Sequence, residues 1–334
     1  MDRRLISIVV PVYNEQGSLG ELIAQIDTTT KEHELHTEVI FVDDGSTDGS
    51  WQRIVELSEK HSNVGGLKFT KNEGKAAALM AGFAAAQGDV VITMDADLQD
   101  PPQEIPNLLA KLDAGFDVVS GWKRTRHDPW HKVFPSRIFN WMIGQCTGVR
   151  LHDHVCGLKC YRGEVVKKLR IYGEFHRFLG VFAAAEGYRV TEIETLHRPR
   201  TIGVGKYGIS RFAKGFIDML TVTLLTRYRW RPQHVLGAVA FVIIFLEMLV
   251  PTFSEIESIV IHELSYAVRV TLRVFVFGLL FVALGFVAAL MVHEHAANGL
   301  YTVVQRAGVC VDRKKDEPHN SQGISNKGGG EVCR

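Results

Sequence analysis

The sequence predicts an α/β domain with a Rossmann-like, mostly parallel sheet, followed by amphipathic interfacial helices and a two-helix transmembrane hairpin. Three observations point there. Up to Ser120, short β-rich runs alternate with helical stretches, the pattern of right-handed βαβ units. Apolar residues make up 46% of the chain at a mean hydropathy of +0.04, and the excess gathers after Gln233. Two amphipathic stretches, Pro129–Thr147 and Ile209–Tyr228, lead into that apolar part.

Taken in order, Leu5–Val12 is a short apolar run behind Arg3 and Arg4, too short for a signal-peptide core, and it reads as a buried strand. A helix over Ser18–Thr28 and a strand over Glu38–Val42 follow, then a turn at Asp43–Gly49 and a helix from Ser50 to about His61. Next come a strand at Gly66–Thr70, an Ala-rich helix at Lys75–Gln87 and a buried strand at Asp89–Met94. A helix at Gln103–Ala114 and a strand at Asp117–Ser120 complete the alternation. The first amphipathic stretch carries Trp130, Val133, Phe134, Ile138, Trp141 and Met142 at helical spacing, which suits a core helix as well as an interfacial one. The second sets Phe212, Phe216, Met219, Leu220 and Leu224 against Arg211, Lys214 and Arg227. It runs directly into an apolar segment, so a helix lying on the bilayer is expected.

Val235–Val250 is apolar apart from Glu247, and Val274–Val292 carries no charge. Each approaches the ~20 residues that cross a bilayer. Arg227, Arg229 and Arg231 precede the first segment, and Arg306, Arg313, Lys314 and Lys315 follow the second. The positive-inside rule then puts the N-terminal domain and the C-terminus in the cytoplasm, as a two-span protein of the cell membrane. The expected divisions are a catalytic domain over 1–205, a juxtamembrane helix over 206–232, the hairpin over 233–295 and a largely disordered tail over 296–334, polar from Asp312 onward. Glu247, His293 and His295 have no assigned role.

A net charge of +1 supplies no global basic field, which argues against a nucleic-acid partner. Cys146, Cys156, Cys160, Cys310 and Cys333 form neither a disulfide framework nor a zinc pattern, and read as reduced packing thiols.

Polar clusters fall where strands end, which in parallel sheets is where ligands bind. Thr93-Met94-Asp95-Ala96-Asp97-Leu98-Gln99-Asp100-Pro101-Pro102 places two aspartates two apart behind a buried strand. Hard carboxylate oxygens suit Mg²⁺ or Mn²⁺ bridged to diphosphate oxygens. A turn capping the next helix is the plainer alternative for Asp97 or Asp100. In the second cluster, Asp43 and Asp44 offer acceptors to a base or ribose, while Gly45–Ser50 shape the turn, with Asp48 or Ser50 as the helix cap. The third, Pro11-Val12-Tyr13-Asn14-Glu15, brings Pro11, Tyr13 and Glu15 to the same edge.

Val10-Pro11-Val12-Tyr13-Asn14-Glu15, Asp43-Asp44-Gly45-Ser46-Thr47-Asp48, Asn72-Glu73-Gly74-Lys75 and Asp95-Ala96-Asp97-Leu98-Gln99 resemble, in order and spacing, the family 2 inverting glycosyltransferases. Ser120-Gly121-Trp122-Lys123, Asp153 with Cys156-Gly157-Leu158-Lys159, Tyr161-Arg162, His197-Arg198-Pro199-Arg200 and Lys206-Tyr207-Gly208 narrow the resemblance to the dolichyl-phosphate mannosyltransferase-like, polyprenyl-phosphate branch. It covers residues 5 to 230 closely and the membrane hairpin in outline.

The resemblance implies a GT-A fold and metal ligation by Asp95 and Asp97 with Gln99 nearby. It also implies a nucleotide-diphosphate sugar as donor, held by Pro11, Tyr13, Glu15, Asp43, Asp44, Lys75, Asp95 and Ala96. The implied acceptor is an undecaprenyl or dolichyl phosphate at the membrane, whose phosphate Lys123, Arg124, Arg137, Arg200 and Lys206 are candidates to hold. A phosphate monoester is already ionised at neutral pH, so positive charge matters more than a general base. Asp97, Asp153, Arg137 and Lys206 are the catalytic candidates, and Glu174, His176 and Arg177 the sugar contacts. A two-span anchor is thin, which leaves room for a homo-oligomer.

One departure is Gly203-Val204-Gly205-Lys206, where the family commonly has Ser before the lysine. Two rival functions compete with this one. A processive polysaccharide synthase would carry Gln-x-x-Arg-Trp, but Thr226 stands where Gln belongs before Arg229-Trp230. A non-catalytic nucleotide-sugar-binding membrane protein would tolerate decay of the acidic clusters, yet all three are intact.

Overall fold

The computed structural model describes residues 4–124, 130–198, 210–228 and 303–308, with isolated helical positions between 238 and 287. Buried β-branched runs form the centre of an eight-stranded sheet. Its strands are β1 (Leu5–Val12), β2 (His36–Asp43), β3 (Val64–Phe69), β4 (Val90–Thr93), β5 (Val118–Trp122), β6 (Lys159–Arg162), β7 (Val190–Glu194) and β8 (Val303–Ala307), in the spatial order β7-β5-β6-β4-β1-β2-β3-β8. β1 lies parallel between β2 and β4, with Val12 beside Asp43 and Val9 beside Thr93. β6 runs antiparallel between β4 and β5, and β7 lies parallel to β5.

The helices are α1 (Leu19–Glu32), α2 (Ser50–Lys60), α3 (Lys75–Ala85), α4 (Ile105–Asp113), α5 (Trp130–Thr147), α6 (Gly163–Lys168), α7 (Leu179–Ala185) and α8 (Ser210–Arg227). Alternate residues of each central strand face opposite layers. Ile8, Val10, Phe41 and Ile92 pack against α1, α2 and α4, while Val9, Ile40, Val42 and Val91 pack against α3, α7 and α8. The chain builds outward from β1 through β2 to β3, and α3 then carries it back across to β4. The β1–β4 boundary is therefore the switch point of the sheet, and β1 and β4 open their carboxyl ends onto one crevice.

The expected elements up to Ser120 are present, with ends shifted by a few residues. α1 runs on to Glu32, four residues past the expected end. The sequence pattern does not resolve β6, α6, α7 or β7. β6 is only four residues, and β7 is half-exposed with a mixed polar pattern, so neither carries a long apolar run. The segment 296–334, expected to be largely disordered, contributes β8, which pairs antiparallel with β3 (Leu67 beside Arg306, Gly66 beside Ala307). An uncovered β3 edge would leave a row of backbone groups unpaired, and β8 satisfies it. The stretch from Asp312 onward lies outside the described residues, as does the hairpin over 233–295 apart from the isolated positions. Among the described residues no helix is long and apolar enough to cross a membrane.

Candidate active site

Two loops at the carboxyl ends of β1 and β2 are wired together before any ligand is considered. Asn14 takes a left-handed backbone (φ 57°), and its side-chain oxygen accepts the Thr47 N–H at 2.8 Å and the Thr47 hydroxyl at 3.3 Å. The Asn14 N–H donates to Ser46 Oγ and the Glu15 N–H to Ser50 Oγ, each at 3.0 Å. Bonds of this kind contribute about 1 kcal/mol each, so their main effect is to fix the shape of the crevice wall. Gly45 (φ 68°) has no substitute here, because a Cβ would lie 2.4 Å from the Lys71 carbonyl carbon. Tyr13 stands exposed on this wall, available to a flat ligand such as a base.

The two aspartates after β2 differ. Asp43 is fully buried, with Oδ1 accepting the Ser46 N–H at 3.0 Å and Oδ2 without a hydrogen-bond partner among the described residues. Asp44 accepts the N–H of Glu73 at 2.7 Å and of Gly74 at 3.0 and 3.2 Å. Burial raises its pKa to about 6, against the pull of those two N–H groups. Asp44 thus anchors the turn that starts α3, and α3 begins with Lys75.

Lys75 reaches across and pairs with Asp95 at the end of β4. Burial works against ionisation of Asp95, but the adjacent Lys75 ammonium prevails and holds its pKa at about 2. Gly157 sits against the same carboxylate: a Cβ there would lie 2.5 Å from Asp95 Oδ2. The Thr93 hydroxyl donates to the Gly157 carbonyl at 2.8 Å and keeps the two segments together. Pro11, Lys75, Asp95, Gly157, Lys159 and His176 line a small cavity at this point. Burial, reinforced by Lys75, pushes the His176 pKa well down, so its imidazole is neutral. Lys159 is buried and donates to the Cys156 carbonyl, and burial lowers its pKa.

Ala96 and Asp97 are both buried in the turn after Asp95, Leu98 adopts a left-handed backbone (φ 62°), and Asp97 Oδ1 accepts the Gln99 N–H at 3.2 Å. Asp95, Asp97 and Gln99 would present two carboxylates and an amide oxygen, an all-oxygen donor set that fits a hard divalent cation. Among the described residues no group of three His, Cys, Asp or Glu side chains could hold a metal alone. A cation here would need further oxygens, as a diphosphate provides.

Several sequence-derived candidates are engaged elsewhere. Lys123 is largely buried and its ammonium lies 2.6 Å from Asp100, which is itself almost wholly buried. Burial disfavours the Lys123 cation, yet Asp100 overrides this and raises its pKa. Arg124 pairs with Glu194 at 3.2 Å on the surface. Arg177 pairs with Glu174 at 2.5 Å, so that only His176 of this trio lines the cavity. Asp153 is buried, and its carboxylate accepts the Val155 N–H at 3.1 Å, which shapes the loop that delivers Gly157. Arg137 is exposed on α5. Arg200 and Lys206 lie outside the described residues.

Sequence reasoning misses a strap, Thr195–Arg198, that crosses the Asp-rich turn. Its N–H groups donate to the Trp122 carbonyl (3.0 Å), to Glu104 (3.1 Å) and to the Gln99 carbonyl (3.0 Å), and the Arg198 guanidinium reaches Gln25 and Gln103. Asp100 is legible within the Asp-rich run, but nothing local shows that Lys123 is its partner.

Four similarities to known proteins bear on this geometry. A family model described as glycosyl transferase family 2 matches residues 7–170. The dodecaprenyl-phosphate galacturonate synthase of Rhizobium johnstonii is 34% identical over 265 residues, 77% of this chain and 77% of that protein. The undecaprenyl-phosphate 4-deoxy-4-formamido-L-arabinose transferase of Aeromonas hydrophila subsp. hydrophila is 37% identical over 229 residues, 68% and 70% of the two chains. Among solved structures, mannosyl-3-phosphoglycerate synthase from Rubrobacter xylanophilus superimposes with a TM-score of 0.54 at 16% identity, covering 68% of this chain and 76% of that one, a likeness of α/β, GT-A-like fold. From sheet, crevice and shared sequence together, the chain belongs to glycosyl transferase family 2 and is a glycosyltransferase.

Proposed function

We propose that the protein transfers a sugar from a nucleotide-diphosphate sugar to a polyprenyl phosphate at the cytoplasmic face of the membrane, with inversion at the anomeric carbon. The observation that carries this reading is the convergence of Asp95 and Asp97 with the loops after β1 and β2 at the switch point of the sheet. The relatives in Rhizobium johnstonii and Aeromonas hydrophila are named for polyprenyl-phosphate products or acceptors, which supports the lipid acceptor.

In this reading Tyr13, Glu15 and Asp43 receive the nucleoside, and Lys75 meets the diphosphate. Asp95, Asp97 and Gln99 would hold Mg²⁺ or Mn²⁺, which when bound neutralises charge on the departing diphosphate. The neutral His176 borders the place where the sugar would lie. Arg137 has no carboxylate partner among the described residues and suits the lipid phosphate better than Lys123 or Arg124, which are already paired. Arg200 and Lys206 lie outside the described residues and are proposed as further phosphate ligands on the family resemblance alone.

Membrane attachment has two supports. α5 and α8 pack together and leave Ile138, Trp141, Phe216 and Ile217 exposed, with Trp141 at 64% and Ile217 at 59%. Contiguous apolar exposure of this kind marks a surface that meets another phase or partner. The second support is the pair of apolar segments Val235–Val250 and Val274–Val292. β8 lies beyond them and pairs with the catalytic sheet, so any membrane crossings between Tyr228 and Val303 must be even in number.

The test is direct. The full chain, reconstituted with polyprenyl phosphate, is offered a panel of nucleotide sugars, and the lipid product is weighed and its anomeric configuration assigned. A glycosyl phospholipid of inverted configuration is expected. Removing metal with EDTA, or substituting Asp97→Ala, should lower the rate by about 100-fold or more, the scale set by losing a principal charge stabiliser. A retained configuration, or activity undiminished in EDTA, overturns the corresponding part.

A further inference from the structure

The Lys75–Asp95 ion pair occupies the carboxylate that the reading above assigns to the metal, and it is built from both sides. Asp95 is walled in, because Gly157 packs against its Oδ2 and the Thr93–Gly157 bond holds that wall in place. Lys75 is aimed by its backbone: Asp44 grips the N–H groups of Glu73 and Gly74, and Gly74 adopts φ 93°, which starts α3 with Lys75 facing the carboxylate. The two side chains are each about one-third exposed (32%), but the lysine has a long rotatable stem while the short aspartate is backed by Gly157. A divalent cation approaching Asp95 meets the ammonium already in place. A nucleoside diphosphate changes the balance, since its phosphate oxygens offer Lys75 a more highly charged partner within reach of the same crevice.

We propose that Lys75 is a resident counter-cation that withholds Asp95 from the metal until a nucleoside diphosphate draws the ammonium away, so that metal and donor bind as one coupled event. The inference rests on the assignment of Asp95 as a metal ligand. Its consequence is reciprocal: diphosphate tightens metal binding, and metal tightens diphosphate binding by the same factor. The apo crevice stays electrically satisfied and does not load metal without substrate.

The experiment measures Mn²⁺ affinity of the reconstituted full chain by electron paramagnetic resonance of free Mn²⁺, with and without UDP or GDP as the probe, and needs no turnover. In the wild type, nucleotide should tighten Mn²⁺ by roughly 10-fold or more, within the usual range of coupling between sites. Lys75→Met, which keeps the stem and removes the charge, should bind Mn²⁺ roughly 10-fold more tightly than wild type when no nucleotide is present, with the coupling correspondingly reduced. Lys75→Arg keeps the charge and should bind Mn²⁺ without nucleotide as weakly as the wild type. Equal nucleotide-free affinity in Lys75→Met and wild type overturns the proposal, as does tighter binding in Lys75→Arg. Asp95→Asn separates this from the underlying assignment: if it leaves Mn²⁺ binding in the presence of nucleotide untouched, Asp95 is not a ligand and the premise itself is wrong.

Discussion

The two halves of the crevice are held together by different chemistry. On the side of β1 and β2, backbone N–H groups and short hydroxyls do the wiring: Asn14 to Thr47, Asp43 to Ser46, Asp44 to Glu73 and Gly74. On the side of β5, β7 and the single turn Phe175–Phe178, long side chains pair by charge: Lys123 with Asp100, Arg124 with Glu194, Arg177 with Glu174. Backbone wiring fixes loop shape closely and costs little side-chain entropy, which suits recognition of one rigid nucleotide. Exposed charge pairing, as in Arg124–Glu194, tolerates movement, whereas the buried Lys123–Asp100 pair does not. The exposed apolar residues of α5 and α8 lie on the second side as well.

That contrast can be broken at its strongest point first. Lys123→Met should remove about 3–5 kcal/mol of stability by stranding the buried Asp100 carboxylate, seen as a lower denaturation midpoint. A loss below about 1 kcal/mol would mean that this pair behaves like its exposed neighbours. Gly157→Ala comes next: its Cβ must push Asp95 aside, at a cost of about 1–3 kcal/mol for overpacking, and nucleotide-dependent Mn²⁺ binding should weaken with it.

Asp44 gives a pH signature. Its folded pKa of about 6 lies above the ordinary 3.8, so the folded state holds the proton more tightly than the unfolded chain. The resulting stability is fully present below pH 3.8 and is lost as pH rises through about 6. Comparing denaturation midpoints of wild type and Asp44→Asn across that window should show the wild type losing ground as pH rises, and parallel curves would refute the shift. Smallest of all, Arg124→Ala should change stability by less than about 0.5 kcal/mol, because its pair with Glu194 is exposed.

Most of the wired half is legible in the sequence. The strands are buried β-branched runs, and their acidic clusters sit at carboxyl ends, so Asp43, Asp44, Asp95 and Asp97 can be placed on one crevice from order alone. What order cannot supply is partnership at a distance. Lys123 reads as a free cation because its Asp100 partner lies on another segment across the crevice, and Arg124 looks available for the same reason. The Arg177–Glu174 pair, by contrast, is local, three positions apart on one turn. Asp44 reads as a ligand, whereas its carboxylate also holds the turn before Lys75, a contact between segments 29 and 30 positions apart. β8 is hidden because five residues, Val-Val-Gln-Arg-Ala, are too few to carry a periodic signal, and only the open edge of β3 explains it.

That edge strand has a consequence for how the protein is made. A ribosome finishes α8 well before it reaches Val303, and at about 5–20 residues per second the gap corresponds to roughly 4–15 s. During that interval the nascent sheet ends at β3, with its outer row of backbone groups open to any passing strand. The apolar segments Val235–Val250 and Val274–Val292 are synthesised in the same interval, ahead of the strand that closes the sheet. The last strand to emerge is then the one that seals the first half of the fold.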